Sequence, residues 1–267
     1  MKVVVITGST RGIGFGLAEA LLKRGCSVVI SGRSQESVHA ALERLPVPGE
    51  DAAVSGHVSD VRSAASLQSL WDYASGEFGH VDIWVNNAGI SNDPDELWQI
   101  ATEQIEAIID TNIFGSVVGT KVAVRAMLEQ GHGAVYLMEG MGSDGRTHGG
   151  QTLYGMTKYA LDYFFKGLAN ELEGTAVIAG AIRPGMVVTD LITEPFRDKP
   201  EEWARVKPIF NIIADPLGPV SEWMASAILE NDQNGQILSR LSRINIALRF
   251  LKAPFSRRDL FSDIDMS

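Results

Sequence analysis

Tyr154 and Lys158 stand four positions apart, and both side chains can give or take a proton. On a helix this spacing places them on one face, within reach of each other. A free phenol has a pKa of about 10, and a nearby ammonium lowers that value because it stabilises the phenolate. The pair is therefore suited to exchange a proton with an alcohol or a carbonyl oxygen. The alternative is a half-buried tyrosine beside a solvated lysine.

A run of glycines near the start of the chain indicates a second site. Gly8, Gly12 and Gly14 have the spacing GxxxGxG, directly after an apolar run and at the start of a helical pattern. Glycines permit a tight turn and a close approach to the backbone, and free amides at a helix N-terminus bind phosphate. The run is either an ordinary strand-to-helix turn or a dinucleotide site, and its context favours the second. The residues of this predicted site are Gly8, Ser9, Thr10, Arg11, Gly12, Ile13 and Gly14.

Two arginines indicate which dinucleotide binds. Arg11 lies inside the glycine turn, and Arg33 follows the second predicted strand, where an acidic residue would hold an unphosphorylated ribose. Each on its own could be a surface residue. Together they favour NADP(H) over NAD(H), because a guanidinium matches the geometry and charge of a 2′-phosphate.

The elements that must position these residues alternate between short apolar runs and longer segments of helical period. This alternation predicts an α/β fold with a parallel sheet covered by helices on both faces. We expect strands at residues 2–7, 27–31, 52–58, 81–86, 134–138, 176–182 and 235–240, and the first two helices at 12–25 and 35–45. Gly25 is expected to end the first helix in a left-handed cap. Neither repeats nor a linker interrupt the chain, so we expect one domain over residues 1–267.

The composition argues against several classes of protein. The formal net charge of -10 opposes nucleic-acid binding, because phosphate backbones need a basic surface. Cys26 is the single cysteine and the histidines show no ligand spacing, so we expect neither an internal disulfide nor a metal site. The first predicted strand begins at Lys2, and no apolar run reaches the roughly 18 residues of a membrane span. These observations predict a cytoplasmic enzyme of small molecules.

Three motifs in register carry a family resemblance. Asn86-Asn87-Ala88-Gly89 follows the fourth predicted strand, and with the glycine run and Tyr154-Gly-Met-Thr-Lys158 it resembles the signature of short-chain dehydrogenases/reductases. The resemblance implies a Rossmann-type, three-layer α/β/α fold with a doubly wound, about seven-stranded parallel sheet. It also implies a homodimer or homotetramer that acts on a small-molecule carbonyl substrate.

The resemblance assigns further roles at the cofactor. It implies that Tyr154 protonates the alkoxide formed as hydride arrives, that Lys158 also holds the nicotinamide ribose, and that Asn112 holds a water for proton relay. A buried, helix-bending asparagine is the alternative for Asn112. The turn from Pro184 to Thr189 would hold the nicotinamide carboxamide. The further cofactor-binding residues implied are Val58, Asn87, Ala88, Gly89, Pro184, Gly185, Val187 and Thr189.

The chain departs from the family pattern before Tyr154. The family normally carries a serine after the fifth strand, whereas this chain has Gly140 or Met141 there, depending on the direction of counting. Ser143 is the nearest hydroxyl that could polarise the substrate carbonyl, or it is a turn residue before Asp144-Gly145. His57 replaces an acidic residue often found near the adenine, which would weaken one adenine contact.

These departures resemble a narrower group, the chlorophyll(ide) b reductases. The similar stretches are Glu139-Gly-Met-Gly-Ser143-Asp-Gly145, Pro184-Gly-Met-Val-Val-Thr-Asp190 and Phe210-Asn-Ile-Ile213. The resemblance implies NADPH-dependent reduction of the formyl group of the tetrapyrrole chlorophyll(ide) b to a hydroxymethyl group. A general reductase of ketones, aldehydes or 3-oxoacyl chains is one alternative, and a non-catalytic NADP(H)-binding sensor is the other.

Two later segments concern the substrate and partners. Residues from about 186 to 219 are rich in Pro, Phe and charge, and are expected to cover the substrate. The tail at about 240–267 is basic and has an apolar stripe of helical period. It would lie on a membrane surface, cover a tetrapyrrole or pack on a partner subunit. The stripe comprises Leu241, Ile244, Leu248, Leu251 and Phe255, and the basic residues are Arg240, Arg243, Arg249, Lys252, Arg257 and Arg258.

Overall fold

A computed structural model describes residues 1–253 and 258–262, apart from the side chain of Arg243. Within these residues the strands follow closely the apolar runs of the sequence. In chain order they are β1 (Val3–Ile6), β2 (Ser27–Gly32), β3 (Val54–Val58), β4 (Ile83–Asn86), β5 (Gly133–Met138), β6 (Val177–Arg183), β7 (Met186–Val187), β8 (Ala214–Asp215) and β9 (Gln236–Ser239). The predicted strands thus differ from the observed ones by one or two residues at their ends, where hydrogen bonding frays.

The main sheet has seven parallel strands in the order β3-β2-β1-β4-β5-β6-β9, and a small separate ladder joins β7 to β8. The order reverses between β1 and β4, because the chain winds outward from β1 in one direction and then returns to start again beside it. The doubly wound, seven-stranded parallel sheet expected from the sequence is confirmed. In such a sheet the crevice at the carboxyl ends of the two central strands is the usual ligand site.

Helices cover both faces of this sheet. In chain order they are α1 (Gly12–Leu22), α2 (Gln35–Arg44), α3 (Ala64–Phe78), α4 (Thr102–Ile109), α5 (Gly115–Gln130), α6 (Thr152–Glu171), α7 (Asp190–Thr193), α8 (Pro200–Ile213), α9 (Leu217–Glu230) and α10 (Arg243–Lys252). Strand residues of alternate parity enter two buried clusters: Val4 and Ile6 pack with α1 and α9, whereas Val5 packs with α3, α5 and α6. Both sides of the sheet are therefore core, as its nearly continuous apolar strands predict.

The first helix ends as the sequence predicts. Gly25 has a φ of +75°, in the left-handed region, and its amide donates a hydrogen bond to the Leu22 carbonyl at 3.0 Å. The regular helix itself stops at Leu22, three residues before the glycine, because the chain turns sharply there to enter β2.

Residues 102–130 form one continuous helical rod in which a widened π turn, Asp110–Phe114, joins α4 to α5. The rod is long and apolar enough on average to cross a membrane, although no uninterrupted apolar run of that length stands out in the sequence. Its buried residues Ala123 and Met127 belong to the core cluster beneath the sheet. A helix of a protein core can have the same length and composition, so these two properties are weak evidence for a membrane span.

The segment from 186 to 219 leaves the main sheet and folds over its carboxyl edge. It contains β7, α7, α8 and β8, and it forms a separate apolar cluster in which Trp203 packs edge-on against Phe210 and Phe261. In α10 the stripe residues Ile244, Leu248 and Leu251 are exposed. Phe255 and Arg257, which the sequence analysis adds to the tail, lie outside the described residues.

Candidate active site

The glycine turn after β1 is shaped by close backbone contacts. Gly8 and Gly12 have φ values of +60° and +58°, which favour glycine, and a Cβ on Gly8 would lie 2.8 Å from the Ala88 Cα. A Cβ on Gly14 would meet the side-chain nitrogen of Asn87 and the Gly8 carbonyl. The turn therefore presents bare backbone amides at the start of α1, which is the cradle that a pyrophosphate requires.

The motif after β4 fixes this turn from the neighbouring strand. The Thr7 hydroxyl oxygen accepts hydrogen bonds from the amides of Asn87 and Ala88, at 3.0 and 3.1 Å. The Asn87 side chain donates to the carbonyls of Thr7 and Gly8, both at 2.9 Å. The two sequence motifs thus meet at the point where the strand order reverses, as a dinucleotide site needs.

Three other predicted cofactor residues, in the turn or near it, do not line the cleft described below. Ser9 is fully buried, where its hydroxyl donates to the Ile6 carbonyl and accepts from the Ser31 amide. Thr10 packs beside Gly32, and Val58 is exposed at the end of β3. Ser9 therefore stabilises the turn from inside the protein, because its hydroxyl bonds to the backbone of β1 and β2.

His57, which the sequence places near the predicted adenine site, packs against a helix instead. His57 stacks on Tyr73 at 4.8 Å and lies 3.1 Å from the Ser69 hydroxyl, so it faces α3. Burial lowers the pKa of His57. Asp60, which the sequence analysis passes over, follows β3 and lies close enough to Arg33 for the guanidinium to help lower its pKa, although the hydrogen bond from Arg62 is the main cause. The signal that could have identified it was an acidic residue two positions after the third predicted strand.

The turn predicted to hold the nicotinamide lies across from the glycine turn. Gly185 has a φ of +81° and lies beside Leu241, and Val187 is buried in the ladder with Asp215. The Thr189 hydroxyl donates to the Val187 carbonyl at 3.3 Å, and its methyl group would lie 3.8 Å from a Cβ on Gly12. Pro184 joins this turn to β6, so the main sheet and the small ladder together set its position.

A cleft of about 310 Å³ opens between these parts. Nine of the site residues predicted from the sequence contribute to its walls. They are Gly8, Arg11, Gly12, Ile13, Asn87, Gly89, Tyr154, Lys158 and Thr189. The predicted cofactor turn and the predicted acid–base pair therefore face one space.

Tyr154 and Lys158 lie in the first two turns of α6, and their side chains are buried, with 9% and 4% of each residue exposed. The Lys158 ammonium donates to the Met138 carbonyl at 3.0 Å and lies 5.6 Å from the centre of the Tyr154 ring. Burial raises the pKa of Tyr154 to about 12, the opposite of the direction expected from the sequence, because loss of solvation disfavours the charged phenolate. Burial lowers the pKa of Lys158 to about 8, against the attraction of Glu139.

Asn112 is fully buried in the π turn. Its side chain accepts from the Ile90 amide at 2.9 Å, and donates to the Ile90 carbonyl at 2.9 Å and to the Thr157 hydroxyl at 3.0 Å. The asparagine thus links the rod to the loop after β4 and to α6. Its burial in the π turn agrees with the alternative of a helix-bending asparagine, and its role in holding a water for proton relay stays a prediction.

The departure after β5 has a steric reason. A Cβ on Gly140 would lie 2.6 Å from the Tyr154 hydroxyl, so Tyr154 fills the space where a side chain would stand. Ser143 is buried beside Glu139 and its hydroxyl helps to lower the pKa of that carboxyl. A role for Ser143 at the substrate stays a prediction.

Glu139 also lines the cleft, although it is not among the site residues predicted from the sequence. Its carboxylate binds Arg183, whose guanidinium also donates to Asp162 at 2.8 Å. Burial raises the pKa of Glu139, and the hydrogen bond from Arg183 opposes that effect. The sequence signal was a charged residue at the end of a strand that is otherwise buried on both faces.

Comparisons with known proteins give the family of this chain. The short-chain dehydrogenase family profile matches residues 2–200. Chlorophyll(ide) b reductase NOL of Oryza sativa subsp. japonica is 34% identical over 261 residues, covering 95% of this chain and 74% of the relative. The 3-oxoacyl-[acyl-carrier-protein] reductase FabG of Escherichia coli strain K12 is 31% identical over 246 residues, covering 91% and 96%.

Solved structures give the same result. Actinorhodin polyketide ketoreductase with NADPH superposes with a TM-score of 0.80 at 25% identity, covering 91% of this chain and 97% of that one. Serine dehydrogenase complexed with NADP+ gives a TM-score of 0.76 at 26% identity, covering 88% and 93%. A nicotinamide cofactor is therefore supported.

The relatives correct one expectation. The chlorophyll(ide) b reductases of rice and Arabidopsis thaliana are chloroplastic. The assignment to the cytoplasm is therefore wrong, because it was drawn only from an early first strand and a lack of apolar runs. The fold, the shared cleft and the match over residues 2–200 lead to one conclusion: this chain is an oxidoreductase and belongs to the short-chain dehydrogenase/reductase family.

Proposed function

We propose that this chain uses NADPH to reduce the formyl group of chlorophyll(ide) b to a hydroxymethyl group. Gly140 is the observation that carries the proposal. It stands where the wider family has a serine, in the stretch from Glu139 to Gly145 that resembles the chlorophyll(ide) b reductases. A Cβ at this position would lie 2.6 Å from the Tyr154 hydroxyl, so the residue that sets this group apart lies directly beside the predicted proton donor. The relatives of this name, up to 34% identical, support the same substrate.

The arrangement suits the reductive direction. The bound cofactor would supply hydride to the carbonyl carbon. Because the pKa of Tyr154 is about 12, its hydroxyl keeps its proton at neutral pH and can donate it to the carbonyl oxygen as negative charge develops there. Lys158 stabilises the phenolate that remains, provided that it is charged. Since its pKa is about 8, reduction should decline as the pH rises through that value.

The central experiment incubates the protein with NADPH and chlorophyllide b and follows the 7-hydroxymethyl product by absorbance and chromatography. Tyr154→Phe removes the donated proton, so we expect turnover to fall by roughly 10²–10⁴-fold. Tyr163→Phe is the matched control, because Tyr163 lies on the same helix and is 80% exposed. Intact NADPH binding by the wild type without any product would reject the tetrapyrrole substrate.

Arg33 supports NADPH as the cofactor. It is exposed directly after β2, at the carboxyl edge of the sheet, where a 2′-phosphate on the adenosine ribose would lie. Arg33→Ala should weaken NADPH binding by roughly 1.5–3 kcal/mol and leave NADH binding nearly unchanged. Titration of both cofactors measures this, with Arg125→Ala as a control on the opposite helix layer. Equal losses for the two cofactors would reject the assignment.

A 3-oxoacyl reductase is the second candidate. FabG of Escherichia coli is covered over 96% of its length by this chain, whereas the rice chlorophyll(ide) b reductase is covered over 74%. Assays with a 3-oxoacyl thioester and with chlorophyllide b, run side by side, distinguish the two. A higher kcat/KM for the thioester would select this function.

We also propose that the protein is a homodimer or homotetramer. Large side chains are exposed along α5 and α6, where another subunit could cover them. They include Leu128, Met156 and Tyr159. Light scattering measures the mass in solution, and a monomer at micromolar concentration would reject the proposal.

A further inference from the structure

Glu139 is a buried carboxylate that the proposed proton transfer does not yet use. It follows β5 and lines the cleft, and its side chain is 0% exposed. Arg183 binds one of its oxygens, and the other, Oε1, is buried and accepts no hydrogen bond from the described residues. A buried carboxylate is costly even when Arg183 binds one of its oxygens and the Ser143 hydroxyl lies beside it, so a second positive charge nearby would stabilise it further.

Lys158 lies across the same stretch of backbone. Its ammonium donates to the carbonyl of Met138, the residue before Glu139, at 3.0 Å. Its Cγ and Cε atoms would each lie 3.4 Å from a Cβ on Gly140, the residue after Glu139. Burial favours the neutral amine and lowers the pKa of Lys158, whereas a nearby anion opposes that effect. The attraction of the Glu139 carboxylate partly offsets the lowering by burial.

We infer that Glu139 is a positioning residue that holds Lys158 in its ammonium form inside the cleft, a role that rests on the proposed proton transfer. Glu139 touches neither reacting atom, and it acts through Lys158. The bare Gly140 allows the close approach, because a side chain there would separate the end of β5 from Tyr154 and Lys158.

The other charges around Lys158 are already paired or lie further out. Asp162 is one turn further along α6 and is buried between Lys166, at 2.6 Å, and Arg183, at 2.8 Å. Asn112, from the π turn, is neutral and bonded to Ile90. The titratable and charged groups that face this space from all packed elements are Tyr154, Asp162 and Lys166 of α6, Glu139 after β5, Arg183 of β6, and Arg11, Asp93, Asp190 and Glu194 at the mouth of the cleft.

The test compares Glu139→Gln with Asp162→Asn. Both substitutions remove one negative charge from Arg183 and keep the side-chain size, but of the two carboxylates only Glu139 contributes to the pKa of Lys158. The ammonium of Lys158 is titrated directly by NMR of lysine labelled with ¹³C and ¹⁵N, and the signal is assigned by its loss in Lys158→Arg. The pH profile of kcat with NADPH and chlorophyllide b is measured in parallel.

We expect the Lys158 midpoint to fall by about one pH unit in Glu139→Gln, which corresponds to a roughly tenfold smaller ammonium fraction above the midpoint. The basic limb of kcat should move to lower pH by the same amount. Asp162→Asn should leave the midpoint in place. An unchanged midpoint in Glu139→Gln, or an equal fall in both variants, would overturn the inference.

Two further outcomes are separable. If Glu139→Gln does not fold, Glu139→Asp decides, because retracting the charge by one methylene should lower the midpoint by a smaller amount, and no change overturns the inference. If chlorophyllide b is not reduced, the proposed substrate fails, but the NMR titration still tests Glu139. The two failures therefore produce different results.

Discussion

The two walls of the cleft are built in different ways. On the wall that is predicted to bind the nucleotide, here called the nucleotide wall, Gly8 and Gly14 allow backbone and Asn87 to approach so closely that an added methyl group has no room. On the wall that is predicted to cover the substrate, here called the substrate wall, charges hold the segment after β6. The buried carboxylate of Asp215 binds Arg249, at 2.9 and 3.1 Å, and Arg258, at 3.0 Å.

The two walls differ in how freely their sequences can change. A cofactor of fixed shape needs a backbone cradle, and few sequences can form one. The substrate wall joins residues far apart in the chain, because Asp215 in β8 pairs with β7 and also collects three arginines from beyond β9. Such a wall can change its loops without changing the sheet, which suits a family with many substrates.

The glycine packing of the nucleotide wall should give the largest effect. Gly14→Ala introduces a methyl group against Asn87 and the Gly8 carbonyl, so we expect a loss of about 3 kcal/mol in the free energy of unfolding and weaker NADPH binding. Gly76→Ala is the matched control in α3, where nothing lies within 4 Å of the added Cβ. That control should stabilise the protein by roughly 0.5–1 kcal/mol. Urea titration measures both, and equal effects would contradict the steric explanation.

Asp215 should give the next effect, on the substrate wall. Asp215→Asn leaves three partly buried arginines around a neutral group, and we expect a loss of about 2 kcal/mol, less than for a fully buried pair because the arginines reach solvent. Asp259→Asn is the control, because Asp259 pairs with Lys207 at the surface and its loss should leave stability unchanged. A wild-type stability for Asp215→Asn would show that packing alone holds this wall.

The pH dependence of that loss has a definite sign. Burial opposes the charged form of Asp215, but the hydrogen bonds from Arg249 and Arg258 and the attraction of Arg249 and Arg240 together lower its pKa. Its contribution is therefore present above the ordinary aspartate pKa of about 4 and is lost as the pH falls through its depressed value. The stability difference between wild type and Asp215→Asn should shrink in acid, as thermal unfolding between neutral and strongly acidic pH can show.

The same contrast explains how much the sequence could predict. Local backbone geometry determines the glycine turn, the motif Asn86-Asn87-Ala88-Gly89 and the spacing of Tyr154 and Lys158. The sequence alone therefore predicts the fold and both halves of the cleft. The strand ends moved by a residue or two, because apolar pattern does not fix where hydrogen bonding stops.

The ion pairs could not be predicted, since each joins residues brought together only by the completed sheet. The sequence presents the tail arginines as a basic surface, whereas Arg240, Arg249 and Arg258 converge on Asp215. The raised pKa of Tyr154 was missed for a related reason, because spacing shows a neighbouring charge but not the depth of burial. The roles of individual site residues stay predictions until the variants are measured.

Arg11 joins the two walls and should give the smallest effect. Its guanidinium lies 3.7 Å from both Asp190 and Glu194, and its side chain is 65% exposed. Exposed pairs of this kind contribute about 0.5 kcal/mol, and salt screens them. Arg11→Ala should therefore lower stability slightly at low salt and not at high salt, with Arg11→Lys close to the wild type. If its loss equalled that of Asp215→Asn, this ionic bridge would support the cleft as much as the buried cluster does, and the contrast between the walls would need a different explanation.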